Sequence, residues 1–238
     1  MLIACSRYGE VQAYDVHLED GPFHCPSCHA QVILKQGPIK AAHFAHLPDA
    51  DCSFAGQEES VEHQLVKQDI YQALLHIPGV SEVQVERNLQ EVRPDVSFMY
   101  NGTFVAIEVQ VSTLSSQDVE RRTLAYARKN IAVLWTPPFS LSMFEERYAP
   151  QEWERYLHTL YFGKVYYWFK GIELQPVQFQ PYMLPPSYYA NERRSKRFVS
   201  LSLLEPVLIT DLTAIWRREW RTFPHARLWC QARKWEQA

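Results

Sequence analysis

The sequence predicts an α/β protein with an αβββαβ module at its centre. The module is indicated by helical periodicity followed by strand-like alternation within residues 58–138. Residues 1–57 are rich in cysteine, histidine, proline and glycine and show only short strand-like pieces. Residues 139–238 are rich in aromatic side chains, and helical spacing returns near their end. We therefore expect three domains with these boundaries, the last of them mainly helical.

The predicted elements of the module are bounded by clear start and stop signals. In chain order they are a helix at 58–76, strands at 83–86, 92–100 and 103–112, a helix at 116–129 and a strand at 131–135. Pro78-Gly79 stops the first helix, and Ser115 is a suitable N-cap for the second. The pair Asn101-Gly102 predicts a two-residue hairpin between the second and third strands. In the last domain, the spacing of residues 212, 215, 216 and 220 before Pro224 predicts a helix.

The composition is that of a folded chain with an uneven distribution of charge. The 238 residues are 47% hydrophobic and 13% aromatic, which excludes a disordered chain and suffices for a sizeable core. The net charge of −3 combines a net +5 over residues 192–238 with a net −8 over residues 1–191. Near-neutrality therefore does not argue against nucleic-acid binding.

No targeting or membrane segment is evident in the sequence. The apolar start at residues 1–5 lacks a preceding basic region, and no run approaches the roughly 20 apolar residues that cross a bilayer. The five cysteines are an odd number, and three of them lie near histidines, which is typical of a reduced protein with a metal site. We expect a cytoplasmic protein with no membrane partner.

Five candidate zinc ligands crowd the amino-terminal segment. They are Cys25, Cys28, His43, His46 and Cys52. Thiolates and imidazoles in this spacing suit a tetrahedral zinc ion, which would stabilise a segment that has little core of its own. We expect Cys25, Cys28, His46 and Cys52 to bind zinc, with His43 as the alternative histidine. Four protein ligands leave no open position, so the site is predicted to be structural.

The predicted hairpin brings two carboxylates together. A two-residue turn pairs Tyr100 with Thr103, and the same register places Asp95 opposite Glu108, with side chains about 4.5–5.5 Å apart on one face. Gln110 lies on that face as well. Two carboxylates this close repel each other, and a divalent cation with oxygen ligands, Mg²⁺ or Mn²⁺, would relieve the repulsion.

Polar residues of the first predicted helix project toward its apolar side. Glu59, Glu62, His63 and Lys67 lie on or beside that side at about 100° per residue. Polar groups aimed at a sheet need partners, so these residues are candidates for the same site. In the alternative interpretation, Glu59 and Glu62 belong to an exposed first turn and only favour the helix dipole.

The motifs in combination resemble the CoiA competence-protein family, and the likeness covers most of the chain. They are Glu59-Ser60-x-x-His63-x3-Lys67, Arg93-Pro94-Asp95, Ile107-Glu108-Val109-Gln110-Val111-Ser112, Arg121-Arg122-x3-Tyr126, Tyr156-Leu157…Tyr161-Phe162-Gly163, and Cys25-x2-Cys28…His43-Phe44-Ala45-His46…Cys52. That family carries a nuclease-like domain of the PD-(D/E)XK type after a zinc-finger-like region. The resemblance implies a restriction-endonuclease-like αβββαβ core.

The resemblance also implies roles for particular residues. It implies Mg²⁺- or Mn²⁺-dependent phosphodiester chemistry on DNA, in the processing or recombination of incoming single strands. Asp95 and Glu108 match the family's metal carboxylates, and Glu59 and His63 are further catalytic candidates. Gln110 stands where the wider superfamily usually has lysine, and a neutral amide stabilises developing negative charge less well. Lys67 or His63 would supply the missing positive charge.

Basic residues indicate where DNA would bind. Lys67, Arg121 and Arg122 near the carboxylates, and Arg193 and Arg194 in the last domain, are the predicted phosphate contacts. Aromatic side chains interleave with the last basic cluster and could stack on the bases of single-stranded or branched DNA. Their core-like spacing favours burial of the tryptophans instead.

Three functions remain open from the sequence. The first is an active metal-dependent deoxyribonuclease. The second is a catalytically silent nuclease fold that binds DNA and recruits a recombinase, which Gln110 favours. The third is an interaction scaffold in which the zinc and the acidic clusters are only structural. Because Asp95 and Glu108 are both present at facing positions, the first is preferred.

Overall fold

The computed structural model describes residues 1–37, 42–48, 50, 52, 60–186, 191–217 and 225–232. The helices of this part are α1 (Val61–Leu75), α2 (Ser116–Arg128) and α3 (Glu152–Leu160). The strands are β1 (Ile3–Ser6), β2 (Gly9–Gln12), β3 (Phe23–His24), β4 (Gln31–Lys35), β5 (His43–His46), β6 (Val80–Val85), β7 (Val96–Tyr100), β8 (Thr103–Val109), β9 (Ala132–Thr136), β10 (Val165–Lys170), β11 (Glu173–Leu184), β12 (Arg193–Leu203), β13 (Val207–Leu208), β14 (Thr213–Arg217) and β15 (Ala226–Cys230). The predicted mixed α/β class is confirmed.

The amino-terminal strands form a small antiparallel sheet of their own. Its strand order is β2-β1-β3-β4-β5. Phe23, Val32, Leu34 and Phe44 are buried in a small core cluster together with Cys25. A core of this size contributes little stability by itself, which is the situation in which a structural metal is found in natural proteins.

The central sheet carries the predicted αβββαβ order. Its strand order is β14-β15-β9-β8-β7-β6, in which β9 runs parallel to β8 and to β15, and the other neighbours are antiparallel. The helix α2 connects β8 to the parallel strand β9, as a crossover between parallel strands requires. Strands β8 and β9 are almost wholly buried, in keeping with their continuous runs of apolar residues.

The hairpin between β7 and β8 has the predicted register. Tyr100 pairs with Thr103, and the pairing runs on to Val96 opposite Ile107. Asn101 and Gly102 both have positive φ, 47° and 72°, as a type I′ turn demands. The register therefore carries Asp95, which directly precedes β7, to the level of Glu108.

Both long helices begin at serine caps. The Ser60 hydroxyl accepts a hydrogen bond from the His63 N–H, and the Ser115 hydroxyl accepts one from the Asp118 N–H. Each cap satisfies a backbone donor that the helix itself leaves without a partner. The second cap is the one predicted from the sequence. The predicted start of the first helix at residues 58–59 lies outside the described residues.

The prediction of a mainly helical carboxy-terminal region is wrong. Only α3 among the described longer elements there is an α-helix, and β10, β11 and β12 form an antiparallel sheet with β13 beside β11. The segment read as helical from Leu212 onward contains β14, which pairs with β15. The spacing of isoleucine and tryptophan here is compatible with a helix, but both residues are also frequent in strands. Pairing with β15, which itself lies beside β9, decides between the two. Trp220 and Pro224 lie outside the described residues.

Within the described segments, the helices are all too short or too polar to cross a bilayer.

We expect glycine at position 102 to let the hairpin turn adopt its positive φ without backbone strain. A Cβ at Gly102 meets no atom within 4 Å, so Gly102→Ala introduces only backbone strain at φ +72°. We expect the free energy of unfolding to fall by about 1–2 kcal/mol. Urea denaturation measures this loss. Gly37 is the matched control, because its surroundings are equally open and its φ is not positive. Equal losses in Gly102→Ala and Gly37→Ala would contradict the assignment of strain to the turn.

Candidate functional site: a zinc cluster and a buried carboxylate centre

Three cysteines and one histidine converge in the amino-terminal sheet. The ligand atoms of Cys25, Cys28, His46 and Cys52 all lie within 4.8 Å of one another, and the Cys28 Sγ is 3.4 Å from the His46 Nε2. This is the ligand set predicted from the sequence. His43 is at the other end of β5 and is not part of the cluster.

The backbone around Cys25 and Cys28 is shaped for a bound metal. The Cys25 N–H donates to the Ala30 carbonyl, the His29 N–H donates to the Cys25 carbonyl, and the Ser27 N–H points at the Cys25 Sγ at 3.4 Å. Burial works against ionisation of Cys25, but the N–H groups of Cys28 and Ser27 outweigh it and lower the pKa of this thiol. A thiolate favoured in this way at Cys25, together with the sulfur atoms of Cys28 and Cys52 and one imidazole, fits the tetrahedral ligand set of structural zinc. Burial raises the pKa of Cys28 to about 11, so a bound metal would have to displace the proton of this thiol.

The second centre is built around Asp95 and Glu108. The Val109 N–H donates to the Asp95 Oδ2 at 2.7 Å, which fixes the Asp95 carboxylate against β8 beside Glu108. The Glu108 side chain is 2% exposed and the Asp95 side chain 14% exposed. Two carboxylates in such a position need positive charge close by.

Helix α1 supplies positive groups to Asp95. The His63 Nε2 is 3.1 Å from the Asp95 Oδ2, and the Lys67 Nζ is 3.9 Å from the Asp95 Oδ1. Burial tends to raise the pKa of Asp95, but His63 and, more weakly, Lys67 and Arg122 hold it below its usual range. The prediction that His63 and Lys67 point toward the sheet is therefore matched by these contacts.

Helix α2 supplies positive charge to Glu108. The Arg122 guanidinium and the Tyr126 hydroxyl each donate a short hydrogen bond to the Glu108 carboxylate. Arg122 also lies 5.0 Å from the centre of the Trp135 ring, and Trp135 is the strand neighbour of Glu108. Burial raises the pKa of Glu108 to about 7, since the attraction of Arg122 is partly offset by the nearby charge of Asp95.

The Gln110 side chain makes its hydrogen bond within its own segment of the chain. It is buried, and its side-chain amide donates a hydrogen bond to the carbonyl of Ser112, two residues along the chain. Its backbone N–H donates to the Thr136 carbonyl at 3.2 Å. The cation that contacts Glu108 is thus Arg122 of α2, not a group at position 110.

Glu86 is the residue at this centre that sequence reasoning missed. Its carboxylate accepts hydrogen bonds from the Lys67 Nζ at 2.7 Å, from Arg93, and from the backbone N–H of Leu2 at 2.8 Å. Burial tends to raise the pKa of Glu86, but Lys67 and Arg93 hold it well below its usual range. The signal that could have revealed it is Lys67 itself, because a lysine on the buried side of a helix requires a buried carboxylate.

The other predicted site residues lie apart from the carboxylates. Glu62 is exposed in the first turn of α1, as in the alternative interpretation, and Glu59 lies outside the described residues. Arg121 is exposed and pairs with Asp118 at 3.3 Å on its own helix. Arg193 and Arg194 are exposed at the start of β12, in a different sheet.

The chemistry of the carboxylates suits a hard divalent cation, whose preferred ligands are oxygen atoms. Asp95 and Glu108 could each offer one, and the Val109 carbonyl directly follows Glu108 in the sequence. The contacts of Glu108 show what such an ion would displace, because Arg122 and Tyr126 already occupy its two oxygens. In the described part of the chain, the zinc cluster is the one group of three or more histidine, cysteine or acidic ligands within reach of a single ion.

Comparison with protein families assigns both centres to one family. Residues 9–55 match the domain described as competence protein CoiA, N-terminal domain, and residues 59–149 match the competence protein CoiA nuclease-like domain. Together the two ranges cover more than half of the chain. This chain belongs to the CoiA family. The zinc cluster falls in the first matched range and the carboxylate centre in the second, while residues 150–238 lie outside both.

The relative found among characterised proteins has the same family name. The chain is 28% identical over 120 residues to competence protein CoiA of Bacillus subtilis (strain 168). The aligned part is 50% of this chain and 32% of that protein, so the chain spans about a third of the relative's length. No solved structure matches the chain.

Zinc should be held by the four clustered ligands and not by His43. Purified wild-type protein is expected to contain one zinc ion per chain, and Cys28→Ser or Cys52→Ser should lose it, because three ligands bind zinc far more weakly than four. Elemental analysis of the purified protein measures the content. His43→Ala and Cys5→Ser are the controls, since both residues lie outside the cluster. Loss of zinc in His43→Ala with retention in His46→Ala would reverse the assignment.

Glu86 should dominate the acid sensitivity of this centre. Glu86→Gln leaves Lys67 and Arg93 without their buried counter-charge and is expected to cost about 3–5 kcal/mol of unfolding free energy at pH 7. Because the pKa of Glu86 is lowered on folding, its contribution is complete above about pH 4.5 and is lost as the pH falls below that value. The difference between wild type and variant, from urea denaturation, should therefore shrink in acid. Glu205→Gln, at an exposed position, should match wild type throughout, and a pH-independent difference for Glu86→Gln would contradict the charge argument.

Proposed function

We propose that this protein is a Mg²⁺- or Mn²⁺-dependent DNA nuclease that acts on incoming DNA during competence, on single-stranded or branched substrates. The observation that carries the proposal is the convergence of Asp95 and Glu108 at the end of the β7–β8 hairpin. Membership of the CoiA family and the match to its nuclease-like domain support the same chemistry. The name of the Bacillus subtilis relative supports the link to competence.

In this proposal Asp95, Glu108 and the Val109 carbonyl hold the divalent ion. The ion would polarise a phosphate and make a water molecule more acidic. Glu108 has to be ionised to bind a cation, and its pKa of about 7 means that this form predominates only in mildly alkaline solution. Arg122 has to leave Glu108 at the same time. Its guanidinium is then beside the carboxylates, where it can pair with a phosphate oxygen.

Helix α1 would complete the active site. His63 lies within 3.1 Å of Asp95 and can orient or move a proton there. Lys67 is held between Glu86 and Asp95, which fixes a positive charge near the carboxylates. These two residues, with Arg122, would stabilise developing negative charge in the absence of a lysine at position 110.

A second candidate is a catalytically silent nuclease fold that binds DNA and recruits a recombinase. Two observations favour this second candidate. The Gln110 amide is directed to the Ser112 carbonyl, and both Glu108 oxygens have donors from the protein itself. A centre in which Arg122 and Tyr126 permanently satisfy Glu108 needs no metal ion to be stable.

Cleavage assays separate the two candidates. With purified protein at pH 8, Mg²⁺ or Mn²⁺, and linear, circular and single-stranded DNA, we expect cleavage by wild type and none by Asp95→Ala or Glu108→Ala. The expected loss is at least about 10²-fold in rate, as for removal of a residue that holds a catalytic charge. Glu205→Ala removes an exposed carboxylate and is the control.

The outcomes are distinct for the two functions. Cleavage that persists in both alanine variants would show a contaminating enzyme and would refute the nuclease proposal. If wild type does not cleave any substrate and Mn²⁺ titration gives no binding that Asp95→Asn removes, the silent fold is the function to pursue, and a pull-down with a purified recombinase tests it.

A further inference from the structure

A large irregularity interrupts the pairing of β11 with β12. Pro181 pairs with Val199, but the next pair along is Met183 with Arg194. One residue of β11 is thus opposed by four residues of β12, at positions 195–198. The Ser195 hydroxyl accepts hydrogen bonds from the N–H groups of Arg197 and Phe198, at 3.2 and 2.8 Å, which folds the extra residues into a compact bulge. Such bulges re-aim side chains and are frequent beside binding sites.

The bulge forms one wall of a groove that helix α3 faces. The groove, here called the bulge groove, has a volume of about 430 Å³ and is lined by Arg155, Arg194, Ser195, Lys196, Phe198 and Val199. Three of its six lining residues are cationic. Its volume is in the range of sites that hold a small ligand, which corresponds to a nucleotide or two and not to a duplex.

Three arginines at or beside the bulge groove are held in place by aromatic and backbone contacts. The guanidinium of Arg147 lies 4.6 Å from the centre of the Phe198 ring, and that of Arg197 lies 5.2 Å from it. The Arg155 guanidinium donates to the Arg197 carbonyl at 2.7 Å. Ordering these side chains before a ligand arrives lowers the entropy cost of binding.

Among the described residues, the cations at and beside the groove form no ion pair with a carboxylate. These cations are Arg147, Arg155, Arg194, Lys196 and Arg197, and the ion pairs of the described part of the chain involve other residues. Charged residues on an edge strand such as β12 also prevent sheets from associating. That role accounts for Arg194 and Lys196 but not for Arg147 and Arg155, which come from a loop and from α3.

We propose that the bulge groove binds the phosphodiester backbone of a single nucleic-acid strand. Several ordered cations around a narrow groove match a flexible chain with one charge per nucleotide, and guanidiniums suit phosphate oxygens. The site lies in another sheet than Asp95 and Glu108 and, Arg147 apart, outside the ranges matched by the family domains. The inference that the ligand is a nucleic acid rests on the proposed function, but binding in the bulge groove needs neither a divalent ion nor cleavage.

Binding of a fluorescein-labelled 30-nucleotide single strand, measured by anisotropy without added Mg²⁺ or Mn²⁺ over a series of salt concentrations, tests this proposal. The double variant Arg194→Glu/Lys196→Glu is expected to bind about tenfold or more weakly at 50 mM salt. The slope of log affinity against log salt should decrease by about 1.4 for the two lost phosphate contacts. Lys35→Glu/Lys129→Glu makes the same change of net charge at exposed positions elsewhere and should match wild type.

Each result decides the matter. Equal weakening by both double variants would reduce the effect to net charge and overturn the site, as would absence of wild-type binding without added Mg²⁺ or Mn²⁺. Equal affinity for the matching duplex would overturn the assignment to a single strand. If the glutamate variant does not fold, by zinc content and urea denaturation, Arg194→Gln/Lys196→Gln replaces it. The assay contains no added Mg²⁺ or Mn²⁺ and measures no cleavage, so a failure of the nuclease proposal is recognisable separately.

Discussion

The close approach of two buried carboxylates is the constraint around which the central module is arranged. The Asn101-Gly102 turn fixes the register of β7 and β8, and this register leaves Asp95 beside Glu108 with little access to water. Neither charge is tolerable there alone. The two long helices supply the partners of these charges: α1 brings His63 and Lys67 to Asp95, and α2 brings Arg122 to Glu108. The same hydrogen bonds and ion pairs that allow folding therefore place three cationic groups around a potential phosphate site.

Glu86 joins this centre to the amino-terminal segment. Lys67 is buried and lies 3.9 Å from Asp95, so its charge needs a nearer partner. Glu86 is that partner, with its Oε1 atom 2.7 Å from the Lys67 Nζ. Glu86 in turn accepts the backbone N–H of Leu2, and Leu2 and Ile3 are buried in the same core cluster as the central sheet. Ile3 begins β1, and β1 pairs with β3, the strand that directly precedes Cys25. Stability of the small sheet and the electrostatics of the carboxylates are consequently linked through one buried side chain.

Local signals in the sequence were sufficient for the parts of the structure that depend on a few neighbouring residues. The hairpin turn, the Ser115 cap, the order of the module and the cluster of Cys25, Cys28, His46 and Cys52, which could hold zinc, are of this kind. The partners of Glu108 and Lys67 are not, because Arg122, Tyr126 and Glu86 reach them only through the packing of helices on the sheet. The carboxy-terminal strands were missed for a related reason. Ile215 and Trp216 fit a helix or a strand, and pairing with β15, a partner far along the chain that lies beside β9, is what selects the strand.

The roles of the cations explain why a net charge of −3 says little about function. Lys67, Arg93 and Arg122 are used inside the protein against Glu86, Asp95 and Glu108, so they contribute almost nothing to the field outside it. Around the bulge groove the opposite holds, since Arg194 and Lys196 are exposed and form no ion pair with a carboxylate of the described residues. Arg122 stands between these cases. It is buried enough to stabilise Glu108, yet about a quarter of its side chain is exposed, so it is the internal cation that a phosphate could recruit without unfolding the centre.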